Sequence, residues 1–301
     1  MTRTTYEWKY FLVPGWVVLV LAFFLPQVTY LEYSFRPALP YGQIGEGFTL
    51  ENYIRVLTDP LYLGVMADSV YLSLVSVLAA ALMGYPTAYL LARASRRWSS
   101  LLTNLLLLSS FVTISVKALG WSLLLRGTGP VNYLLSAIGA TSNPVMLINN
   151  SIGAFIGMVH FVLPLMILTL AGVIQSIPVN LELAAHGMGS SALRTFFRVV
   201  FPLTFTGFLS ALLMSFSLCM GLFATTALLG GGKVLTMPIL IYQQVVDIAN
   251  LPLGAALSVF LFLTVLAINV IAARVLVLRP GARQERRSLR ERTLRAASST
   301  S

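Results

Sequence analysis

Two ionisable residues, Asp68 and Lys117, lie inside or at the edge of long apolar segments of this chain. A charge costs several kcal/mol in a segment apolar enough for a bilayer, so each of the two is a candidate functional residue. Trp121 follows Lys117 by one helical turn, where its ring can contact a bound cation. Two interpretations stay open. Asp68 and Lys117 neutralise each other, or one or both line a solute pathway together with Trp121.

The other reactive residue types do not form a catalytic or metal-binding set. One cysteine, Cys219, and two histidines, His160 and His186, are too few for an internal disulfide or a Cys/His metal centre. We interpret His160 and Cys219 as packing residues. The chain contains neither an H-E-x-x-H nor a G-x-S-x-G motif, which argues against an intramembrane enzyme. We therefore expect no catalytic residues, no metal and no cofactor.

The composition indicates an integral membrane protein. Of the 301 residues, 10% are charged and 57% are hydrophobic, and a water-facing surface needs roughly a quarter charged residues. A helix that crosses the hydrocarbon needs about 20 mostly apolar residues, and charge-free runs of that length predict six spans in an all-α fold. The predicted spans are 10–31, 69–92, about 101–125, 151–175, 203–227 and 253–276.

The positive charge follows the predicted topology. A net charge of +10 suggests nucleic acid, but the distribution of the basic residues indicates a different cause. Fifteen of the 20 Lys and Arg fall in the segments that are cytoplasmic if the N-terminus is inside, and four fall in the outer loops. Both termini are therefore predicted to be cytoplasmic. We expect no nucleic-acid partner, and we expect the basic tail 279–301 to be disordered or in contact with anionic membrane lipid.

The connection 176–202 is the long loop on the predicted cytoplasmic side. Asn180 is a candidate N-cap for a helix over Leu181 to Gly187, with Glu182 in its first turn. Gly187 and Gly189 permit the left-handed backbone that a tight reversal needs. A second helical piece, 191–200, leads to Pro202. Such a loop is either a docking surface for a soluble partner or an ordinary interfacial segment.

This loop resembles the cytoplasmic signature of binding-protein-dependent ABC importer permeases. That signature is Glu-Ala-Ala, three residues, a glycine, nine residues and an aliphatic-x-aliphatic-Pro ending. Aligned on Gly189, it places Leu183-Ala184-Ala185 at the triplet and Val199-Val200-Phe201-Pro202 at the ending. Leu183 stands where the family has Glu, and Glu182 comes one position earlier.

Further segments, in the same order along the chain, resemble the spermidine/putrescine-type permeases. They are the proline-containing first span with Tyr33-Ser34-Phe35, Phe48-Thr49-Leu50-Glu51-Asn52-Tyr53, Gly84-Tyr85-Pro86-Thr87-Ala88-Tyr89 with Arg93, and Leu228-Leu229-Gly230-Gly231-Gly232-Lys233. The resemblance implies the type I ABC importer permease fold in a bacterial inner membrane. It also implies a second, usually non-identical permease subunit, two ATP-binding ABC subunits that hydrolyse the ATP, and a periplasmic or surface solute-binding protein.

The resemblance also implies roles for particular segments. Residues 63–278 form the permease core, preceded by a helix and outer loop over 1–62. The residues implied to couple to the ATPase are Glu182, Leu183, Ala184, Ala185, Gly187, Gly189 and Pro202. Polyamine is the leading solute. The alternatives are another small solute, such as phosphonate, sulfate, molybdate or iron, and a secondary transporter that acts without an ATPase, although the chain shows no matching halves.

Overall fold

The computed structural model describes residues 7–141 and 143–277, so the predicted tail 279–301 lies outside the described residues. The described chain is built from helices, joined by short connections. The helices are α1 (Glu7–Ser34), α2 (Glu51–Thr58), α3 (Pro60–Arg93), α4 (Arg96–Phe111), α5 (Ile114–Leu125), α6 (Pro130–Ala137), α7 (Ser151–Gln175), α8 (Val179–Gly187), α9 (Ala192–Thr195), α10 (Phe201–Met220), α11 (Ala224–Gly230), α12 (Met237–Tyr242) and α13 (Leu251–Val277).

Five helical segments of the described residues are long and apolar enough to cross a membrane, and a bent pair brings the number to six. The five segments are Val13–Ser34, Pro60–Arg93, Ser151–Gln175, Ala192–Met220 and Leu251–Val275. Each overlaps a predicted span, and the predicted 151–175 has the bounds of α7. Pro14 and Pro26 lie inside α1, which stays one helix over 28 residues.

The third predicted span is not the single straight helix expected over about 101–125. Arg96–Phe111 and Ile114–Ala137 are bent by 98° at a break between them. Val112 and Thr113 form the break with extended backbone angles (ψ 129° and 149°), and both are β-branched residues that favour extended backbone. Arg97 and Lys117 therefore do not lie on one straight helix.

The chain divides into two compact units. The first contains residues 7–68 and 235–263. After α1 ends, the chain folds back so that the Asn52 side chain donates hydrogen bonds to the carbonyl oxygens of Ser34 (3.1 Å) and Arg36 (2.9 Å). The rings of Phe35 and Phe48 stack with centroids 4.9 Å apart. Two of the motif segments named above are thus in direct contact.

The second unit contains residues 69–141, 143–234 and 264–277, and α7 lies at its centre. Helix α7 packs against α4, α5, α10 and α11. Its buried side chains include Met158, Met166, Leu170 and Ile174. Glycines at its contacts allow close approach, since a Cβ added to Gly207 of α10 would lie 2.5 Å from the Val173 side chain. This unit carries the predicted loop 176–202 as well as Lys117 and Trp121.

Candidate functional site

Helix α8 is fastened to the end of α3 by a buried ion pair. Arg93 donates to the Glu182 carboxylate from Nε (2.9 Å) and from Nη2 (2.5 Å), and its Nη2 also reaches the Ile177 carbonyl (3.2 Å). The Tyr89 hydroxyl donates to the second carboxylate oxygen at 2.7 Å. The Glu182 side chain is 8% exposed and that of Arg93 is 18% exposed. Charge-assisted bonds at these distances are among the strong ones in proteins, so α8 has a fixed position on α3.

Helix α8 begins two residues earlier than predicted. The helix starts at Val179, its N-cap is Pro178, and Asn180 lies in the first turn, so the predicted Asn180 cap is wrong. Proline suits this position because its φ of −58° fits a helix start and its missing N–H needs no partner there. Glu182 remains in the first turn, as predicted.

The C-terminal end of α8 closes with a left-handed glycine. Gly189 has φ +82°, its N–H bonds the His186 carbonyl (2.9 Å), and the Ser190 N–H bonds the Ala185 carbonyl (3.1 Å). This pair of bonds is the Schellman pattern, which uses glycine at the reversing residue. Gly187 is the last helical residue and is not among the glycines of positive φ. The two predicted glycines therefore have different roles.

We expect Gly189→Ala to weaken the end of α8 by about 1–2 kcal/mol, because a Cβ strains the left-handed backbone. Amide hydrogen exchange of α8 in the purified permease should accelerate about 5- to 30-fold. Gly187→Ala is the matched control, since nothing lies within 4 Å of its added Cβ and alanine favours the helix. Equal exchange rates in the two variants would contradict the assignment.

The face of α8 opposite Glu182 is exposed and apolar. Ala185 is buried, whereas Leu183 is 61% exposed and Met188 is 83% exposed. Leu181 and Ala184 are also exposed. The acid of this chain comes one position earlier than in the family signature. As a result, Glu182 points inward to Arg93 and Leu183 points outward. An exposed apolar patch on a short helix held at both ends is suited to contact with another protein.

An aromatic cluster continues from this ion pair along α3. Tyr85, Tyr89 and Arg93 are spaced four residues apart on one helix face. The Tyr85 hydroxyl is hydrogen-bonded to Thr204 of α10. The Phe196 ring packs edge-on against Tyr85 (5.2 Å) and Tyr89 (5.7 Å). The end of α3 therefore contacts α8 and the chain that leads into α10.

Pro202 lies inside a continuous helical segment, Ala192–Met220. Phe196–Val200 is a π-helical turn in which the Phe201 N–H bonds the Phe196 carbonyl. A proline cannot donate to the carbonyl four residues earlier, and its ring pushes that carbonyl, on Arg198, aside. The wider turn before Pro202 is the physical result. The helical piece predicted over 191–200 is confirmed, and it leads through Pro202 into the fifth span, as predicted.

A second candidate site is a small cleft in the same unit. Its lining includes Lys117 and Trp121 of α5, His160 of α7 and Thr225 of α11. The Trp121 and His160 rings meet edge-on at 5.4 Å. Lys117 is half-buried, and Asp68 is exposed on α3. Asp68 and Lys117 belong to different units, so their pairing stays a prediction.

Comparison with known proteins decides the family. Residues 62–279 match the family described as "Binding-protein-dependent transport system inner membrane component". The chain belongs to this family. It is a permease subunit of an ABC importer in the inner membrane, and ATP is hydrolysed by a separate subunit, so the permease itself is not an enzyme. The prediction of an ABC importer permease is confirmed, and the alternative prediction of a secondary transporter is not.

Named relatives agree with this assignment. The permease is 33% identical over 249 residues to "Spermidine/putrescine transport system permease protein PotB" of Escherichia coli (strain K12), covering 83% of this chain and 90% of that protein. It is 31% identical over 241 residues to the PotB of Haemophilus influenzae, covering 80% and 84%. "Sulfate transport system permease protein CysT" of Synechocystis is 25% identical over 228 residues, covering 74% and 78%.

Solved structures confirm the fold. A chain from the "Crystal structure of bacterial alginate ABC transporter in complex with alginate pentasaccharide-bound periplasmic protein" superposes with a TM-score of 0.75 at 16% identity, covering 92% of this permease and 95% of that chain. A chain from inward-facing MetNI methionine ABC transporter gives a TM-score of 0.51 at 14% identity, covering 73% and 97%. Importers of this family work with an ATPase and a solute-binding protein.

Sequence reasoning missed three residues of the two sites: Tyr89 and Arg93 as partners of Glu182, and His160 as part of the Lys117 cleft. Tyr89 and Arg93 stand within a motif segment at a four-residue spacing, which was an available signal. His160 had no comparable signal, because its neighbours in the cleft come from helices distant in sequence.

Proposed function

We propose that this permease subunit serves an importer of spermidine and putrescine. The solute assignment is supported by 33% identity over 83% of the chain to the PotB of Escherichia coli, against 25% over 74% to the sulfate permease of Synechocystis. In this proposal the permease pairs with a second, non-identical permease subunit. Both its termini are cytoplasmic, and its basic tail 279–301 contacts anionic lipid.

We further propose that 176–202 is the loop through which the ATPase acts. The observation that supports it is the geometry of α8: Glu182 is held inside by Arg93 and Tyr89, and the opposite apolar face is exposed. In this proposal Leu183 and Ala184 contact the ATPase and Ala185 packs α8 onto the permease. Gly187 ends the helix, Gly189 reverses the chain after it, and Pro202 lies in the helical segment that continues as the following span. A rigid helix between two membrane helices can transmit closure of the ATPase.

Uptake of radiolabelled spermidine by the complete importer in proteoliposomes tests the solute. Both permease subunits, the ATPase and the binding protein are reconstituted together. Uptake should require ATP, and unlabelled putrescine should compete while sulfate should not. ATP-dependent uptake of labelled sulfate, with none of spermidine, would contradict the solute assignment and leave the importer assignment intact.

Ala184→Arg tests the docking loop. A charged side chain in the exposed apolar face of α8 must lose its water when the ATPase binds, so uptake and recovery of the ATPase with the purified permease should fall at least about tenfold. Ala137→Arg, an exposed alanine at the end of α6, is the matched control. Because the ATPase is on the cytoplasmic side, loss of its binding also tests the proposed orientation. Unchanged recovery would refute the assignment of the loop.

A further inference from the structure

The described residues of the second unit offer no free acidic side chain to neutralise Lys117, which lines the cleft. Glu182 is the only acidic side chain among residues 69–141, 143–234 and 264–277. Its carboxylate is already engaged by Arg93 and Tyr89. No side chain in this described part of the chain therefore remains to neutralise Lys117.

The chemistry of the lining suits a negatively charged oxygen. Lys117 brings three N–H donors, the Trp121 indole brings one, and the His160 imidazole brings at least one. The described lining contains no carboxylate that would receive an amine. A protonated polyamine would face a like charge here, whereas a carboxylate would accept charge-assisted hydrogen bonds.

The position of the cleft favours such a partner. Lys117 is half-buried on α5, in the bent third span. An ammonium in this environment costs several kcal/mol unless it meets an opposite charge. Removing one member of a buried ion pair leaves the other charge desolvated and is strongly destabilising.

The size of the cleft selects the kind of anion. The enclosed space is enough for about one water molecule. One carboxylate oxygen of a side chain that enters from the open side fits this space, and a whole solute does not. We propose that the cleft binds the carboxylate of an Asp or Glu side chain, and that Lys117, Trp121 and His160 are its site. The proposal does not depend on the solute being a polyamine.

Two sources can supply this carboxylate, and the test separates them. One is Asp68, an acid at the edge of a predicted span of this chain, and the other is an acid in a span of the second permease subunit. The complete importer in native membranes is treated with a hydrophobic carbodiimide, and the adducts are located by peptide mass spectrometry. An ion-paired carboxylate stays ionised and unreactive, whereas an unpaired carboxyl in hydrocarbon takes up a proton and reacts.

In the Lys117→Met importer we expect a new membrane adduct, about tenfold above wild type. Lys117→Arg keeps the charge, Lys233→Met removes an exposed loop charge, and both should show the wild-type level. An adduct on Asp68 assigns the carboxylate to this chain, and an adduct in a span of the second permease assigns it to that subunit. If Lys117→Met does not accumulate in the membrane, Lys117→Gln is labelled instead.

Absence of a new adduct would overturn the proposal, and so would an equal adduct in Lys117→Arg. A second result would also overturn it. If an anionic solute inhibits uptake by the wild-type importer but not by the Lys117→Met importer, and no new adduct forms, the cleft is a solute site. Spermidine uptake by the wild-type importer is measured separately. A wrong solute assignment therefore leaves the labelling result unaffected.

Discussion

Replacing Arg93 with methionine is expected to lower the free energy of unfolding of the permease by about 3 kcal/mol and to reduce ATP-coupled uptake strongly. Methionine keeps most of the apolar stem but removes the donors at 2.9 and 2.5 Å from the Glu182 carboxylate. Glu182, whose side chain is 8% exposed, then keeps Tyr89 as its remaining side-chain donor. The value lies at the low end for a buried pair because Arg93 itself is 18% exposed.

Uptake should fall for a mechanical reason. Helix α8 carries the proposed docking face, and the Arg93 ion pair fixes it to α3. Once α8 can tilt independently, closure of the ATPase moves α8 without moving the membrane helices. The number of ATP molecules hydrolysed per solute taken up should rise, and this ratio separates a coupling defect from a simple loss of folded protein.

A double variant provides the control. The variant Arg93→Met/Glu182→Leu replaces both buried charges with apolar side chains and should recover most of the lost stability, because no desolvated charge remains. Arg96→Met removes an exposed arginine three residues away and should change neither stability nor coupling. Thermal unfolding of the detergent-purified permease measures the stabilities. Equal destabilisation by Arg93→Met and by the double variant would contradict the buried ion pair.

The spans were predictable because one physical condition controls them. A helix in hydrocarbon must be apolar over about 20 residues, and charge-free runs report that length directly. The predicted 151–175 coincides with α7, and the predicted 253–276 lies within α13.

Backbone breaks inside apolar segments were not predictable in the same way. The 98° bend between α4 and α5 occurs at Val112 and Thr113, which differ little in hydropathy pattern from their neighbours. The π-helical turn before Pro202 depends on which carbonyl the proline displaces. Both features change the direction of the chain while leaving its composition apolar, so a search for charge-free runs does not detect them.

The position of the coupling loop in the sequence was predictable, but the side-chain contacts that hold it were not. The motif spacing located 176–202, and glycine chemistry predicted the left-handed residue at Gly189. The ion pair joins residues 89 positions apart in sequence. Arg93 was named with a motif segment and counted among the basic residues, but it was not predicted as a partner of Glu182. The inward direction of Glu182 depends on where α3 ends relative to α8, and this is information that only the fold contains.

Gly153→Ala in α7 is expected to destabilise the permease by about 2–3 kcal/mol. A Cβ at this position would lie 2.8 Å from the Leu229 carbonyl oxygen and 2.9 Å from that of Leu147. Both contacts are with backbone atoms, which cannot rotate away as a side chain can. The start of α7, where the Gly153 N–H bonds the Asn150 side chain at 3.0 Å, would have to shift from α11.

Two other glycines of α7 provide comparison variants with smaller expected losses of stability. At Gly157 an added Cβ would meet side-chain atoms, 2.4 Å from Leu229 Cδ1 and 2.5 Å from Thr225 Cγ2, and these can move, so Gly157→Ala should cost about 1 kcal/mol. Nothing lies within 4 Å of a Cβ at Gly172, so Gly172→Ala should be neutral or stabilising by up to about 1 kcal/mol, the helix preference of alanine over glycine. Thermal unfolding midpoints in one detergent should rank Gly172→Ala highest, Gly157→Ala next and Gly153→Ala lowest. A Gly153→Ala variant as stable as Gly172→Ala would show that α7 and α11 do not approach each other as closely as the structure places them.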